Sequence, residues 1–321
     1  MPASLTSELS EFALDVAQGL GGYGQKTLPP RCFYDELGST LFEAITLLPE
    51  YGLTTADERL LENHAQDIAA FTGDLSVVAE LGSGTGRKTR HILLANTPTE
   101  RGVVYCPIDV SPAALARCEA ELSGLACVHA VCSDWIQGLK EIAAFRTAGR
   151  AILLLFLGSS IGNVGRNDIV TFLRSIREQL REGDHLLIGA DLVKAIDTMI
   201  RAYDDPTGVT AAFNLNLLGR INRELEADFD LRSFRHEVRW NHEARRVEMH
   251  LRSCSDQKVY IRGLDMALRF AEGETIWTES SHKFTLAELD HYAREAGFRP
   301  VRTWVDAEWP FAEALWKAVP I

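Results

Sequence analysis

The middle of this 321-residue chain predicts a doubly wound α/β fold, and its flanks predict a second, smaller α+β unit. Three observations carry this. Five short apolar runs alternate with helical segments between residues 75 and 191, the pattern of successive βα units around a parallel sheet. A glycine-rich turn follows the first of those runs directly, at the edge where open sheets bind ligands. Outside this region helices come first and strands after them, which is the grouping of an α+β unit.

Taken in order, Leu75 to Leu81 is apolar and ends at glycines, so it is expected as a buried strand. Lys88 to Leu94 is expected as a short helix. Val103 to Asp109 is the second strand, with Pro107 counting against a central place because proline cannot donate to a ladder. Ser111-Pro112 opens the next helix, serine as N-cap and proline in the first turn. Ala126 to Val131 is the third strand. Arg150 to Leu157 is the fourth and most apolar, hence the one expected at the centre. Arg166 to Leu180 has helical periodicity and stops at Arg181-Glu182-Gly183-Asp184. His185 to Asp191 is the fifth strand. Upstream, residues 1 to 60 are expected to be helical, interrupted at Gly19 to Gly24 and at Pro29-Pro30. Downstream, Phe213 to Leu225 is a helix, and Glu237 to Trp240, Val247 to Cys254, Val259 to Ile261 and Asp265 to Phe270 are strands. Leu286 to Glu295 is a helix stopped by Gly297, and Val301 to Val305 is a strand able to rejoin the main sheet.

Composition narrows the function. Lys and Arg number 33 against 45 Asp and Glu, a net charge of −12. A general phosphate-backbone binder needs a basic face, so nucleic acid is not an expected partner. The longest strongly apolar run, Ala151 to Leu157, is far short of a membrane span. Glu8, Glu11 and Asp15, with no basic n-region, do not suit a secretory signal. A cytoplasmic location without membrane attachment follows as the expectation. None of the six cysteines forms C-x-x-C, and they fit a reducing compartment. The nine histidines make no H-E-x-x-H, so no metal is expected. There are no coiled-coil heptads, and a monomer is expected.

The glycine turn is Glu80-Leu81-Gly82-Ser83-Gly84-Thr85-Gly86. Glycines let the backbone approach a ligand, and a following helix offers free N–H donors. The dinucleotide fingerprint G-x-G-x-x-G needs glycine at position 87, which is Arg87. An acid followed by this run is closer to the first motif of class I S-adenosylmethionine (SAM) methyltransferases. Asp109 ends the second strand, roughly 20 residues beyond the glycines, where a carboxylate can accept from both ribose hydroxyls. Asp134 ends the third, placed to accept from the adenine amino group, with Trp135 able to pack on the ring. A competing motif is Gly158-Ser159-Ser160-Ile161-Gly162, which matches the G-x-S-x-G elbow of serine hydrolases. There Ser160 would be the nucleophile, with Asp191 and His282 completing the triad. That reading leaves the glycine turn, Asp109 and Asp134 unexplained. Under the methyltransferase reading the same loop, with Gly158, lies beside the sulfonium, where small residues leave room for substrate.

Several segments together resemble one family, the histidine-specific N-alpha-methyltransferases of ergothioneine biosynthesis. They are Leu28 to Asp35, Leu48 to Tyr51, Glu80 to Gly84 with Lys88-Thr89-Arg90, Phe156 to Asn163, Asp191 to Lys194, Arg201 to Asp205, Asn222 to Leu225, Glu248 to Arg252 and Glu279 to Phe284. The resemblance implies a class I methyltransferase fold and trimethylation of the α-amine of L-histidine to hercynine, with S-adenosylhomocysteine as coproduct. It implies that Gly82, Lys88, Asp109, Asp134 and Trp135 hold SAM, and that Tyr51, Asn163, Tyr203, Glu279, Ser280 and Ser281 hold the amino acid. Tyr34 would lie near the reacting amine with Gly158, and Met249 would line the side-chain pocket. Two positions depart: Gly52-Leu53 follows Tyr51 where many members have Tyr-Pro, and Trp135 stands where Phe is common. Another aromatic amino acid as substrate, and a SAM-binding sensor without turnover, are the alternatives alongside the hydrolase. The expected division assigns residues 60–196 and 286–321 to SAM, and 1–59 and 197–285 to the substrate.

Overall fold

The computed structural model describes residues 10–96 and 102–320; Glu8 lies outside them. Two compact units emerge. The larger holds 49–198, 242–246 and 281 onward, and the smaller holds the described residues up to Leu48 with 199–241 and 247–280. Residues 49–59, 197–198, 242–246 and 281–285, expected in the smaller unit, group with the larger one. The cause at the first of these is a single long helix, α1 (Gly52–Thr72), which packs along the last strand of the main sheet.

The larger unit is built on an eight-stranded sheet. Its strands are β1 (Leu75–Leu81), β2 (Val104–Asp109), β3 (Cys127–Val128), β4 (Val131–Cys132), β5 (Ala151–Phe156), β6 (His185–Asp191), β7 (Phe298–Val305) and β8 (Phe311–Ala318). The order is β7-β8-β6-β5-β1-β2-β3, with β4 also on β2. β1 pairs in parallel with both β2 and β5, and β5 with β6, while β8 runs antiparallel between β6 and β7. The order reverses at β1, so the chain ends of β1, β2 and β5 open on one crevice. β1 and β6 are buried at every position and β5 at all but its first, as parallel strands covered on both faces must be.

Some expectations shift. Pro107 is not at an edge: β2 is flanked on both sides, but the third strand is broken into β3 and β4, and its gap at His129-Ala130 falls opposite Cys106-Pro107. The ladder is interrupted where proline has no N–H to give. α2 (Arg90–Asn96) starts later than Lys88, because Ser83 to Thr89 is spent on turns. The helix expected from Arg166 starts at Ile169, after a Gly165–Asp168 turn, and runs to Gln179 as α5. Between them lie α3 (Pro112–Glu121) and α4 (Trp135–Ile142). α6 (Leu286–Glu295) starts on a capping box, Thr285 with Glu288. α5 and α6 bury Ile169, Leu173, Ile176, Leu289 and Ala293 in the core shared with β5, β6 and β8.

The smaller unit carries a four-stranded sheet of Lys26–Thr27, Thr275–His282, Arg246–Ser253 and Phe234–Asn241, in that order. A separate antiparallel hairpin joins Gln257–Ile261 to Met266–Phe270. Its helices are Glu11–Gly21, Glu36–Ile45, the end of Ile196–Tyr203, and Val209–Leu225. Phe33 stacks on Phe213 at 4.4 Å between ring centres. Asp205 starts the last helix: its carboxylate accepts from Val209 N at 3.1 Å and Thr210 N at 2.7 Å. Burial pushes this carboxyl up, but those bonds and the Thr207 hydroxyl outweigh it and hold it well below the usual range. Among the described residues no helix is long and apolar enough to cross a membrane.

Candidate active site

β1 ends in the acid and glycines of the turn. The buried Glu80 carboxyl accepts from Thr89 Oγ1 and Tyr105 OH, both at 2.5 Å, and so ties the turn's far end to β2. Burial pushes Glu80 up to about 7. Gly82, Gly84 and Gly86 all have positive φ. Gly86 packs inward: a Cβ there would lie 2.6 Å from Cys118 Sγ. Gly84 faces the other way, and a Cβ there would meet nothing within 4 Å. At Gly82 a Cβ would lie 3.6 Å from Trp135 Nε1.

Asp109 closes β2 beside this turn. It accepts from Gly84 N at 3.2 Å and from Ser111 N at 2.9 Å. Burial raises its carboxyl, against the pull of the Ser111, Gly84 and Val110 N–H groups. Asp134 is the N-cap of α4, and its Oδ1 accepts from Gln137 N at 2.9 Å. Trp135, the first residue of that helix, meets Phe156 edge-on at 4.9 Å. These residues therefore stand at the C-terminal ends of successive strands, on the edge that Gly84 leaves open.

Lys88 makes an ion pair with the fully buried Asp57 of α1. The same Asp57 oxygen accepts from the backbone N–H of Gly158 at 2.9 Å. Gly158 begins the loop after β5, which passes through a short 3₁₀ turn, Ser160–Asn163. Here the hydrolase reading fails. Ser160 Oγ donates to Leu157 O at 3.0 Å. Asp191 is taken by Lys194, by Lys283 at 2.8 Å and by Trp309 Nε1 at 2.9 Å. His282 Nδ1 lies 3.2 Å from Ala244 O. No nucleophile–base contact forms, and the left-handed residue is Ser159 rather than Ser160.

Tyr51 caps the start of α1 through its backbone. The Gly52 that follows it is required by packing, since a Cβ there would sit 2.2 Å from the Trp309 ring. Ser281 Oγ accepts from Lys283 Nζ at 2.9 Å, which chains it to Asp191. A Cβ on Gly162 would lie 3.4 Å from Ser281 Oγ, so the Asn163 turn and Ser281 are neighbours.

The remaining predicted residues belong to the smaller unit. Tyr34 meets Phe42 edge-on at 5.8 Å and Phe213 at 6.1 Å. The buried Tyr203 presents its carbonyl to His236 Nε2 at 2.8 Å. Met249 is buried in its strand, and its carbonyl accepts from Thr278 Oγ1 at 3.0 Å on the neighbouring strand that carries Glu279 and Ser280. Asp57, Glu313 and Lys283 were not singled out from the sequence. For Glu313 a signal existed: it is the one charge in the apolar run Phe311 to Trp316.

A glycine turn after β1, acids closing the next two strands, and an antiparallel strand inserted at the far edge define a class I SAM-dependent methyltransferase. The profile described as "Histidine-specific methyltransferase, SAM-dependent" matches residues 12–318, and the chain belongs to that family. It is 42% identical to the histidine N-alpha-methyltransferase of Mycolicibacterium smegmatis, over 94% of this chain and 93% of that one. The corresponding enzyme of Mycobacterium tuberculosis is 41% identical over 90% of each. An L-tryptophan methyltransferase of Psilocybe serbica is 27% identical over 88% of this chain and 86% of its own length.

Proposed function

We infer that this protein transfers methyl groups from SAM to the α-amino nitrogen of L-histidine. Three transfers give hercynine, the first step of ergothioneine biosynthesis, with one S-adenosylhomocysteine released each time. The observation that carries this is the near-full-length match to the histidine-specific family, with 42% identity to a histidine N-alpha-methyltransferase.

The chain's residues suit SAM. Gly84 offers backbone with open space above it, and Asp109 has acceptor capacity beyond its two backbone bonds, enough for ribose hydroxyls. Lys88 spends one of three donors on Asp57, which leaves others for a carboxylate. We assign the cofactor to these residues with Gly82, Asp134 and Trp135, and Gly158 to the loop beside the methyl group. When bound, SAM supplies a methyl group already activated by its sulfonium. The protein's part is to hold a neutral amine in line with it, and positioning of that kind is worth several kcal/mol. An α-amine has a reference pKa of about 8, so it must shed a proton first, which a water-poor site beside a cation favours.

For the amino acid we assign Tyr51, Asn163, Ser281, Tyr34, Tyr203, Met249, Glu279 and Ser280. Asn163 and Tyr203 are neutral donors suited to the carboxylate. Glu279 accepts from one imidazole nitrogen while Ser281 serves the other. Met249 lines the side-chain pocket, and Tyr34 attends the amine. A site built on such bonds rejects isosteres that lack them. We also place the protein in the cytoplasm, where its unpaired cysteines suit a reducing compartment, and expect a monomer, which the net charge of −12 favours.

The test is direct. Purified protein is incubated with SAM and each amino acid in turn, and mass gains are followed in steps of one methylene. Three steps on L-histidine alone support the reading. Gains only on another aromatic amino acid would replace the substrate, and SAM binding with no gain anywhere would leave a sensor.

A further inference from the structure

Two carboxyl groups lie fully buried side by side in the larger unit. Asp57, in the second turn of α1, is 0% exposed, and Glu313, on β8, is 1% exposed. A buried carboxylate costs several kcal/mol unless partnered, so both need an account. Asp57 Oδ2 is used twice, by the Lys88 ammonium and by Gly158 N. Asp57 Oδ1 and both Glu313 oxygens meet no N–H donor or hydroxyl. What Glu313 faces instead is the charge of the neighbouring Asp57. Two neighbouring buried carboxyls do not both ionise readily. Burial, then the Asp57 charge, raise Glu313 well above the usual range, so Glu313 keeps a proton that it can offer to Asp57.

The backbone makes room for this pair. Gly189 stands directly across from Glu313 in the β6–β8 register. A Cβ there would lie 2.7 Å from Glu313 Oε1 and 3.3 Å from Gly158 N. Glycine inside a central strand costs about 0.5–1 kcal/mol against alanine, and here it admits an acid beneath the Gly158 peptide. Asp57 also rides on the helix whose N-cap is Tyr51.

We propose that Asp57, with the Glu313 carboxyl as its buried neighbour, is a positioning residue for SAM that fixes the Lys88 ammonium and the Gly158 N–H relative to each other. This rests on the assignment of Lys88 and Gly158 to the cofactor. One carboxylate then sets both the cation offered to the cofactor and the loop beside its methyl group. Lys88 keeps a counterion without giving up its remaining donors.

The experiment measures S-adenosylhomocysteine binding by calorimetry, with SAM and L-histidine kinetics and melting temperature alongside, on full-length variants. Asp57→Asn keeps the shape and removes the charge. It should weaken S-adenosylhomocysteine and raise the SAM KM by about tenfold to a hundredfold, with the L-histidine KM little changed. Glu313→Leu removes the donor and should behave like Asp57→Asn. Glu313→Gln supplies an amide N–H in its place and should restore most of what leucine loses. A merely structural role would lower stability without separating SAM from histidine or glutamine from leucine. Lys88→Met is the control for the underlying assignment. If it binds S-adenosylhomocysteine normally, the placing of Lys88 at the cofactor falls, and this proposal with it. If Lys88→Met weakens binding and Asp57→Asn does not, the proposal alone is overturned. Should Asp57→Asn fail to fold, equal affinity of the Glu313 Gln and Leu variants overturns it.

Discussion

Replacing Gly84 and Gly86 by alanine, one at a time, separates the two things a glycine turn does. Both have positive φ, +53° and +69°, where an L-residue costs about 1–2 kcal/mol. At Gly84 that is the whole cost in the ligand-free protein, because a Cβ meets nothing within 4 Å. At Gly86 the Cβ lies 2.6 Å from Cys118 Sγ and 2.9 Å from Leu122 Cδ1. Both side chains are fully buried at the end of α3, so the helix must shift. Overpacking of that kind adds about 1–3 kcal/mol, for a total of roughly 2–5 kcal/mol. Differential scanning fluorimetry should show Gly86→Ala melting several degrees lower and Gly84→Ala only slightly lower. Binding of S-adenosylhomocysteine should reverse the order. Gly84→Ala fills the open face beside Asp109 and should weaken the ligand by about tenfold or more, whereas the Gly86 methyl points away toward α3. Undiminished affinity in Gly84→Ala would show that the open face is not the cofactor face. An unchanged melting temperature in Gly86→Ala would refute the packing argument.

Three further outcomes are expected. Glu279→Ala should raise the L-histidine KM by about tenfold to a hundredfold, the worth of a hydrogen bond to a charged group, with S-adenosylhomocysteine binding intact; equal histidine affinity contradicts the assignment. Asp184 accepts from Ile152 N at 2.8 Å, Arg181 N at 2.7 Å and two nitrogens of Arg146, whose side chain is 9% exposed, so Asp184→Ala strands a largely covered cation and should cost about 3–5 kcal/mol in urea unfolding. A loss under about 1 kcal/mol, the range of an exposed pair, would mean that the pair is solvated. His185 is lowered to about 4 by burial and then by Lys317. Its unfolded value is higher, about 6.5, so as pH falls from about 6.5 to 4 the unfolded chain takes up a proton that the folded chain refuses, and stability declines over that window. His185→Gln should reduce the slope of melting temperature against pH there, and an unchanged slope rules His185 out as the source.

The fold was legible wherever burial was patterned along the chain. β1, β2, β5 and β6 lie within a residue or two of the runs that announced them, because a parallel strand covered on both faces has to be a continuous apolar segment. β8 was missed for a physical reason. Phe311 to Ala318 is alanine-rich and buried on both sides, with Glu313 inside it, so it shows neither alternation nor β-branched residues. Lys26–Thr27 was missed because two residues carry no period at all. Candidate site residues were legible where the residue type itself was the signal, as with the glycines, Asp109 and Trp135. Asp57 was not, since an acid in the second turn of a helix is unremarkable until Lys88, Gly158 and Glu313 arrive from distant segments. The Gly52 departure likewise needed the fold. Nothing near Gly52 in sequence asks for a missing side chain; Trp309 does, from the other end of the chain.

The carboxylates at the strand ends also show why their roles had two readings. A capping acid and a ligand-binding acid are not exclusive, because a carboxylate has about four acceptor positions. Asp134 spends one on the first turn of α4, and Asp109 spends two on Gly84 and Ser111. Each is thereby oriented by backbone N–H groups, with acceptor capacity to spare. Such fixed dipoles need no reorganisation when a ligand arrives. The bland reading of these residues, as helix caps and turn formers, is therefore the physical basis of the functional one. The same holds beneath the sheet edge. Asp57 holds Lys88 and Gly158 N–H in place before any substrate is bound, and Lys88 still has donors to spare.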